Sequence, residues 1–245
     1  MDLIIDVGNT RAHLALFEGD QQVAAEAVPH GEAMRAGWAA FLGEHAPTRA
    51  AVVDVNPPVR LALVAWLAER GLRAKVLGHD LPVAIPLQVA EPEKVGGDRI
   101  ANALWARQAY PGQTVAVFDL GTAVTLDVVS SEGAFVGGSI APGLRTAAWS
   151  LNARTAALPE VRPAADAPAI GVTTEGCIAS GLLWGAVGLV RALYEQASHE
   201  LGADPVAVAT GGDAALVSPH CPFLSAVVPD LTLQGLRIAL SESTK

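Results

Sequence analysis

Residues 3–17 read LIIDVGNTRAHLALF: an apolar run that halts at Asp6, passes Gly8, Asn9 and Thr10, and resumes as alternating apolar residues from His13 to Phe17. This is the pattern of a strand, a tight turn and a second strand. A carboxylate at the end of such a strand has two ordinary uses. It can be a turn residue that bonds its own backbone, or it can face a ligand. The glycine beside it lets a ligand approach the backbone closely, successive turn N–H groups suit phosphate oxygens, and Asp6 can hold Mg²⁺ through water. A third strand, about Gln22 to Val28, follows the turn at Gly19-Asp20 and completes an antiparallel meander.

Strand and helix then alternate. A helix pattern near Glu32 to Leu42 leads to the strand AAVVDV (50–55), then to PPVRLALVAWLAERG (57–71), with proline at its start and Gly71 at its end. After the short strand RAKVLG (73–78) and a proline-punctuated segment, GGDRIANALWARQAY (96–110) reads as a helix with Asp98 near its N-cap and Pro111-Gly112 beyond its end. At TVAVFDLGTAVTLDVV (114–129) the opening pattern restarts, with Asp119-Leu-Gly-Thr echoing Asp6-Val-Gly-Asn. A third glycine turn, in VAVATGGDAALV (206–217), follows a late strand. The expected fold class is therefore α/β, with two lobes related by internal duplication and facing each other across a cleft. Their expected extents are 1–112 and 113–245. The Ala/Pro-rich stretch from Arg162 to Ala169 reads as a loop.

Composition narrows the functional classes. The 245 residues carry a formal net charge of -9 and no Lys/Arg cluster, which argues against a nucleic-acid partner. A polyanionic ligand must then be held by backbone N–H groups, a few Arg and a metal. Two cysteines, Cys177 and Cys221, support neither a disulfide framework nor a Cys-based zinc site and suit a reducing cytoplasm. No signal peptide pattern is visible. The longest uncharged stretch, Gly176 to Val190, is shorter than the roughly 20 residues that span a bilayer. It reads as a buried helix with no membrane role, and Gly176, Gly181, Gly185 and Gly188 permit close helix contact, either at a subunit interface or within the chain.

Other residues carry two readings each. Asp98 fits an N-cap and equally a base that accepts a hydroxyl proton in phosphoryl transfer, with Arg99 beside it for an anionic group. Thr122 and Thr125 suit phosphate contacts, although threonine is also an ordinary strand residue. The six histidines have no metal-ligand spacing, Cys177 reads as core packing, and no G-x-S-x-G elbow supports serine hydrolysis.

Taken in order, IIDVGNTRAHLALF, EPEKVGGDRIANALWA, FDLGTAVTLDVV, GGSIAPGL, LNARTAALPEV, TTEGCIASGLLWGAVGLV, ATGGDAALV and PDLTLQGLR resemble the type III pantothenate kinases of the acetate and sugar kinase, Hsp70 and actin superfamily. The resemblance covers most of the chain. It implies two ribonuclease-H-like (actin-like ATPase) lobes and a homodimer with substrate sites near the subunit interface. It also implies ATP-dependent phosphorylation of pantothenate, the first step of coenzyme A synthesis, with Mg²⁺ and a monovalent cation, K⁺ or NH₄⁺. On it, Asp6, Val7, Gly8, Asn9, Thr10, Arg11, Ala12 and His13 match the nucleotide phosphate loop, Asp6 lying near the metal. Gly96, Gly97 and Arg99 match the pantothenate-binding stretch, Asp98 the proton acceptor and Thr174 a substrate contact. Asp119 matches the aspartate that binds the monovalent cation, Thr122 a nucleotide contact, and Gly211 and Gly212 the adenosine-side turn.

Three positions depart from the family pattern: Asp54, in place of an uncharged residue; Val89, in place of an aromatic one; and Val124, within a run often rich in threonine. Two alternatives stand beside the kinase reading. One is another phosphotransferase or phosphatase of the same fold, because fold does not fix the acceptor. The other is a non-catalytic nucleotide-binding regulator.

Overall fold

A computed structural model describes residues 1–243. By its internal packing the chain forms two units: Met1–Ala109 together with the chain from Leu231 onward, and Tyr110–Asp230.

The first unit opens with the expected meander, β1 (Asp2–Val7), β2 (Arg11–Glu18) and β3 (Gln21–Pro29), followed by α1 (Met34–Leu42), β4 (Arg49–Asp54), α2 (Pro57–Ala68), β5 (Ala74–Val76) and α3 (Gly97–Ala109). The strands lie in the order β3-β2-β1-β4-β5, with β1 antiparallel to β2 and parallel to β4. Strand side chains alternate between faces, so Leu3, Ile5 and Val7 share one side. There they pack in a core with Trp38 of α1 and Trp66 of α2, whose rings meet edge to face at 5.6 Å. Asp6, on the opposite face, stays half-buried.

The second unit repeats this plan. It contains β6 (Val115–Leu120), β7 (Ala123–Val129), β8 (Phe135–Pro142), α4 (Leu144–Arg154), α5 (Thr174–Leu201), β9 (Val206–Thr210), α6 (Ala214–Val217) and β10 (Leu224–Val227). Its sheet order is β10-β9-β6-β7-β8, with β6 antiparallel to β7 and parallel to β9. Asp6 pairs with His13 and Val53 in the first sheet; Asp119 pairs with Thr125 and Thr210 in the second. The two aspartates thus hold the same place in the same topology, as the repeated Asp-x-Gly predicts.

The last described element is α7 (Leu231–Glu242), and it departs from the expected lobe of 113–245. It packs on α3, inside the first unit. Gly235 brings the two backbones so close that a Cβ there would lie 1.9 Å from the Ala101 carbonyl oxygen. The buried Thr232 hydroxyl donates to Asn102 at 2.8 Å, and the Trp105 indole N–H donates to Gln234 at 3.0 Å.

Helix α5 is longer than its uncharged stretch, reaching Leu201 before Gly202 ends it in the left-handed region at φ 69°. It is long and apolar enough to cross a membrane by length and composition. Leu183, Ala186, Val187 and Val190 are nevertheless buried against the second sheet, in one core with Phe118 and Leu126, as befits a core helix. The preceding loop runs along it: Ser180 donates to the Ala169 carbonyl and Trp184 to that of Ala167. Cys177 is a correction, since its thiol is exposed and donates to the Gly171 carbonyl at 3.3 Å rather than packing in the core.

Candidate active site

In the first unit the β1–β2 turn is closed by the Gly8 N–H, which donates to the Arg11 carbonyl at 3.0 Å. Val7 and Ala12 are buried and anchor it; Gly8 and His13 are half-buried; Asn9, Thr10 and Arg11 are exposed. The neighbouring strand end is β4, where Val7 pairs with Asp54 and the Val55 N–H donates to the Val7 carbonyl at 3.0 Å. Asp54, the charged departure, forms an ion pair with Arg60 in the first turn of α2 at 2.9 Å, so its charge is balanced. Val124 is fully buried in β7, where a methyl group replaces a hydroxyl with no polar atom to satisfy, and Val89 is half-buried.

The GGDR stretch is seated on that same strand end. A Cβ at Gly97 would come within 2.4 Å of Val53 Cγ2, so only glycine lets α3 start so close to β4. A Cβ at Gly96 would lie 2.5 Å from Asp98 Oδ1, because the carboxylate folds back over Gly96. Asp98 lies in the first turn of α3, inside the helix rather than capping it from outside, and its Oδ1 accepts the Arg99 N–H at 2.8 Å. Burial pushes the Asp98 carboxyl above the usual carboxylate range, against the opposing pull of the Arg99 N–H bond and the Arg99 charge. The structure therefore gathers Asp6, the turn, Asp54, Gly96, Gly97, Asp98 and Arg99 around the C-terminal ends of β1 and β4.

In the second unit, a Cβ on Gly211 would meet both Asp119 Oδ1, at 2.5 Å, and the Leu120 carbonyl oxygen, at 2.6 Å. Gly211 also adopts φ 92°, which disfavours any other residue. The late glycine turn and the Asp119 turn are therefore one cluster. Gly143 closes it from the other side: a Cβ there would lie 2.1 Å from the Gly121 carbonyl oxygen and 2.7 Å from that of Thr122. The Thr146 hydroxyl donates to the Thr122 carbonyl at 2.6 Å. Thr122, Gly211 and Gly212 are exposed around the half-buried Asp119. Thr174 is set differently, exposed at the first position of α5, while Thr173 caps the helix by accepting the Gly176 N–H at 3.0 Å.

Two further features had no signal in the spacing. Asp213, directly after Gly212, is buried and accepts two bonds, each 3.4 Å, from the exposed guanidinium of Arg145. Asp127, fully buried on the same face of the sheet as Asp119, accepts the Thr125 hydroxyl at 3.5 Å. An Asp in a Gly-Gly-Asp turn is indistinguishable in sequence from an ordinary turn residue, and its partner lies on a different element.

Residues 2–196 match the family described as type III pantothenate kinase. The chain is 35% identical to a type III pantothenate kinase of Dehalococcoides mccartyi, over 96% of this chain and 95% of that one. It is 36% identical to one of a Parafrankia species, over 100% and 99%. The chain belongs to the type III pantothenate kinase family. The family's fold extends to distant structures. A conserved Baf family protein of Campylobacter jejuni, described as a transcriptional activator, aligns with TM-score 0.62 at 18% identity over 99% of this chain and 98% of that one. A ROK family glucokinase of Streptomyces griseus, in complex with glucose and AMPPNP, aligns at 0.51 and 15% over 98% of each chain. At such identities these likenesses show the fold alone.

Proposed function

We propose that this chain transfers the γ-phosphoryl group of ATP to the primary hydroxyl of pantothenate, the first step of coenzyme A biosynthesis, with Asp98 as the proton acceptor. The supporting observation is the seating of Asp98: a half-buried carboxylate, its pKa raised by desolvation, held at the start of α3 against the strand end that adjoins the Asp6 turn. The hydroxyl oxygen attacks the γ-phosphorus, the bond to the bridging oxygen of ADP breaks, and the hydroxyl proton passes to Asp98. A carboxylate with a pKa displaced upward is a better match for that proton than an exposed one. Arg99, beside it, suits the pantothenate carboxylate, Gly96 and Gly97 let the start of α3 and the Asp98 side chain pack closely there, and Thr174 is a substrate contact on the family resemblance. The Asp6–His13 turn offers backbone N–H groups to the nucleotide phosphates, and Thr122, Gly211 and Gly212 are nucleotide contacts on the family resemblance.

The donor atoms present fit the two cations the family implies. Asp6, an oxygen donor at a strand end beside a glycine turn, is of the type that holds Mg²⁺ through water. The Asp119 carboxylate, packed against Gly211, is an oxygen donor of the type that suits K⁺ or NH₄⁺. When bound, these cations offset the charge of the nucleotide phosphates.

The exposed face of α5 supports a homodimer. Gly181, Gly185 and Gly188 line it with open space where each Cβ would sit, and Trp149, Ile170 and Val172 are exposed apolar residues of the same unit. Both cysteines are free, which suits a cytoplasmic enzyme.

ADP release, followed with and without pantothenate in K⁺ and then in Na⁺, tests the whole reading. Turnover that requires both pantothenate and K⁺ is expected. Turnover with a different alcohol but not with pantothenate replaces it with another phosphotransferase; nucleotide binding without ADP release replaces it with a regulator.

A further inference from the structure

His30, the first residue after β3, grips the β1–β2 turn at two points. Its backbone N–H donates to the Thr10 carbonyl at 3.0 Å, and its ring Nε2 lies 2.9 Å from the Gly8 carbonyl oxygen. A carbonyl oxygen only accepts, so the ring places its proton on Nε2. Nδ1 is buried and has no hydrogen-bond partner among the described residues. The His30 side chain thus has one polar task, which is to hold the Gly8 carbonyl.

That hold has a consequence through the peptide plane. In a trans peptide the C=O of one residue and the N–H of the next point to opposite sides, so fixing the Gly8 carbonyl toward His30 turns the Asn9 N–H away from it. The Gly8 N–H is already committed to the Arg11 carbonyl, and Asn9 and Thr10 are exposed on the open side of the turn. Glycine makes such a hold necessary. With no Cβ at position 8, the Gly8–Asn9 peptide has little steric preference between its two flips. One flip presents an N–H donor to an incoming anion; the other presents a carbonyl oxygen, which repels it.

We propose that His30 is a positioning residue for nucleotide binding: its Nε2–H locks the Gly8–Asn9 peptide in the flip that offers the Asn9 N–H to the phosphates of ATP. This rests on the reading of Asp6–His13 as the phosphate loop. The lock acts on the nucleotide side alone, since the GGDR stretch is seated on β4 through Gly97 and Val53.

The test pairs His30→Phe, which keeps a planar ring and removes the donor, with His30→Gln, whose amide restores one. In His30→Phe the KM for ATP is expected to rise about tenfold, the scale of losing one hydrogen bond to a charged group. The KM for pantothenate stays within about twofold, and His30→Gln recovers most of the loss. Three outcomes overturn the lock: an unchanged KM for ATP in His30→Phe, an equal rise in both KM values, or a His30→Gln enzyme that melts like the wild type yet binds ATP no better than His30→Phe. Backbone amide shifts separate this failure from failure of the loop reading. If a non-hydrolysable ATP analogue leaves the Asn9 and Thr10 amides of the wild type unmoved, the phosphate-loop reading fails and the lock with it. If those amides move in the wild type and His30→Phe binds the analogue equally tightly, the lock alone fails.

Discussion

Asp98 combines two properties that pull against each other, because a half-buried, desolvated carboxylate costs stability when ionised and a proton acceptor must be ionised to work. Its pKa is raised, so its contribution to stability is fully present below the ordinary aspartate value near 3.9 and is lost as pH rises through the higher folded-state value. Asp98→Asn removes the ionisation while keeping the shape. The variant is expected to lose about 10²–10⁴-fold in kcat, the usual contribution of a general base, and to retain ATP binding. It is also expected to melt at a higher temperature than the wild type at neutral pH, with the difference shrinking on acidification. Turnover by coupled ADP release and melting by calorimetry at several pH values check both parts; near-normal turnover removes Asp98 from the chemistry. Asp98 was legible in the sequence as a helix-start carboxylate with two possible uses. Its fold-back over Gly96 was not, because glycine before aspartate carries no signal for where the side chain turns.

At the scale of elements, the helix that carries Asp98 is placed by glycines. Gly97 lets α3 abut β4, and Gly235 lets α7 abut α3, backbone against backbone. Gly235→Ala puts a methyl group where the Ala101 carbonyl oxygen already sits, so the helices must separate. Overpacking of this kind costs about 1–3 kcal/mol, and contact with rigid backbone places it toward the upper end. A fall in melting temperature of roughly 5–10 °C is expected for a chain of this size. An unchanged melting temperature in calorimetry contradicts the close crossing. Most strands and helices were legible from apolar periodicity and from their proline and glycine boundaries, but β8, β10, α4 and α7 were not. The destination of α7 was not: its apolar face fits any partner helix of similar pattern, and its choice of α3 is made by Gly235, Thr232 and Gln234 meeting Ala101, Asn102 and Trp105.

At the scale of the whole molecule, two sheets of identical strand order place Asp6 and Asp119 at equivalent ends, the arrangement that the repeated Asp-x-Gly foreshadowed. The proposed homodimer belongs to this scale as well. Gly181 and Gly185 face open space in the single chain, so Gly181→Gln and Gly185→Gln fit the protomer and improve helix propensity by a few tenths of a kcal/mol to about 1 kcal/mol each. The same side chains obstruct close approach of a second copy. Light scattering is expected to show a dimer for the wild type and a monomer for the double variant, with the protomer at least as resistant to heat. A double variant that stays dimeric moves the interface off this face of α5.

The sequence by itself determined what is local in the chain: the strand-turn-strand units, the Asp-x-Gly turns, their repetition and the ordered motifs that mark the family. Those signals act over a few residues, where backbone preference and apolar period suffice. The tertiary structure alone decided which residues far apart complete each site. His30 reaches Gly8 across 22 positions, Arg145 reaches Asp213 across 68, and Thr232 reaches Asn102 across 130. None of these pairings follows from local preference, because a hydrogen bond between distant residues exists only once the sheets and helices between them have packed.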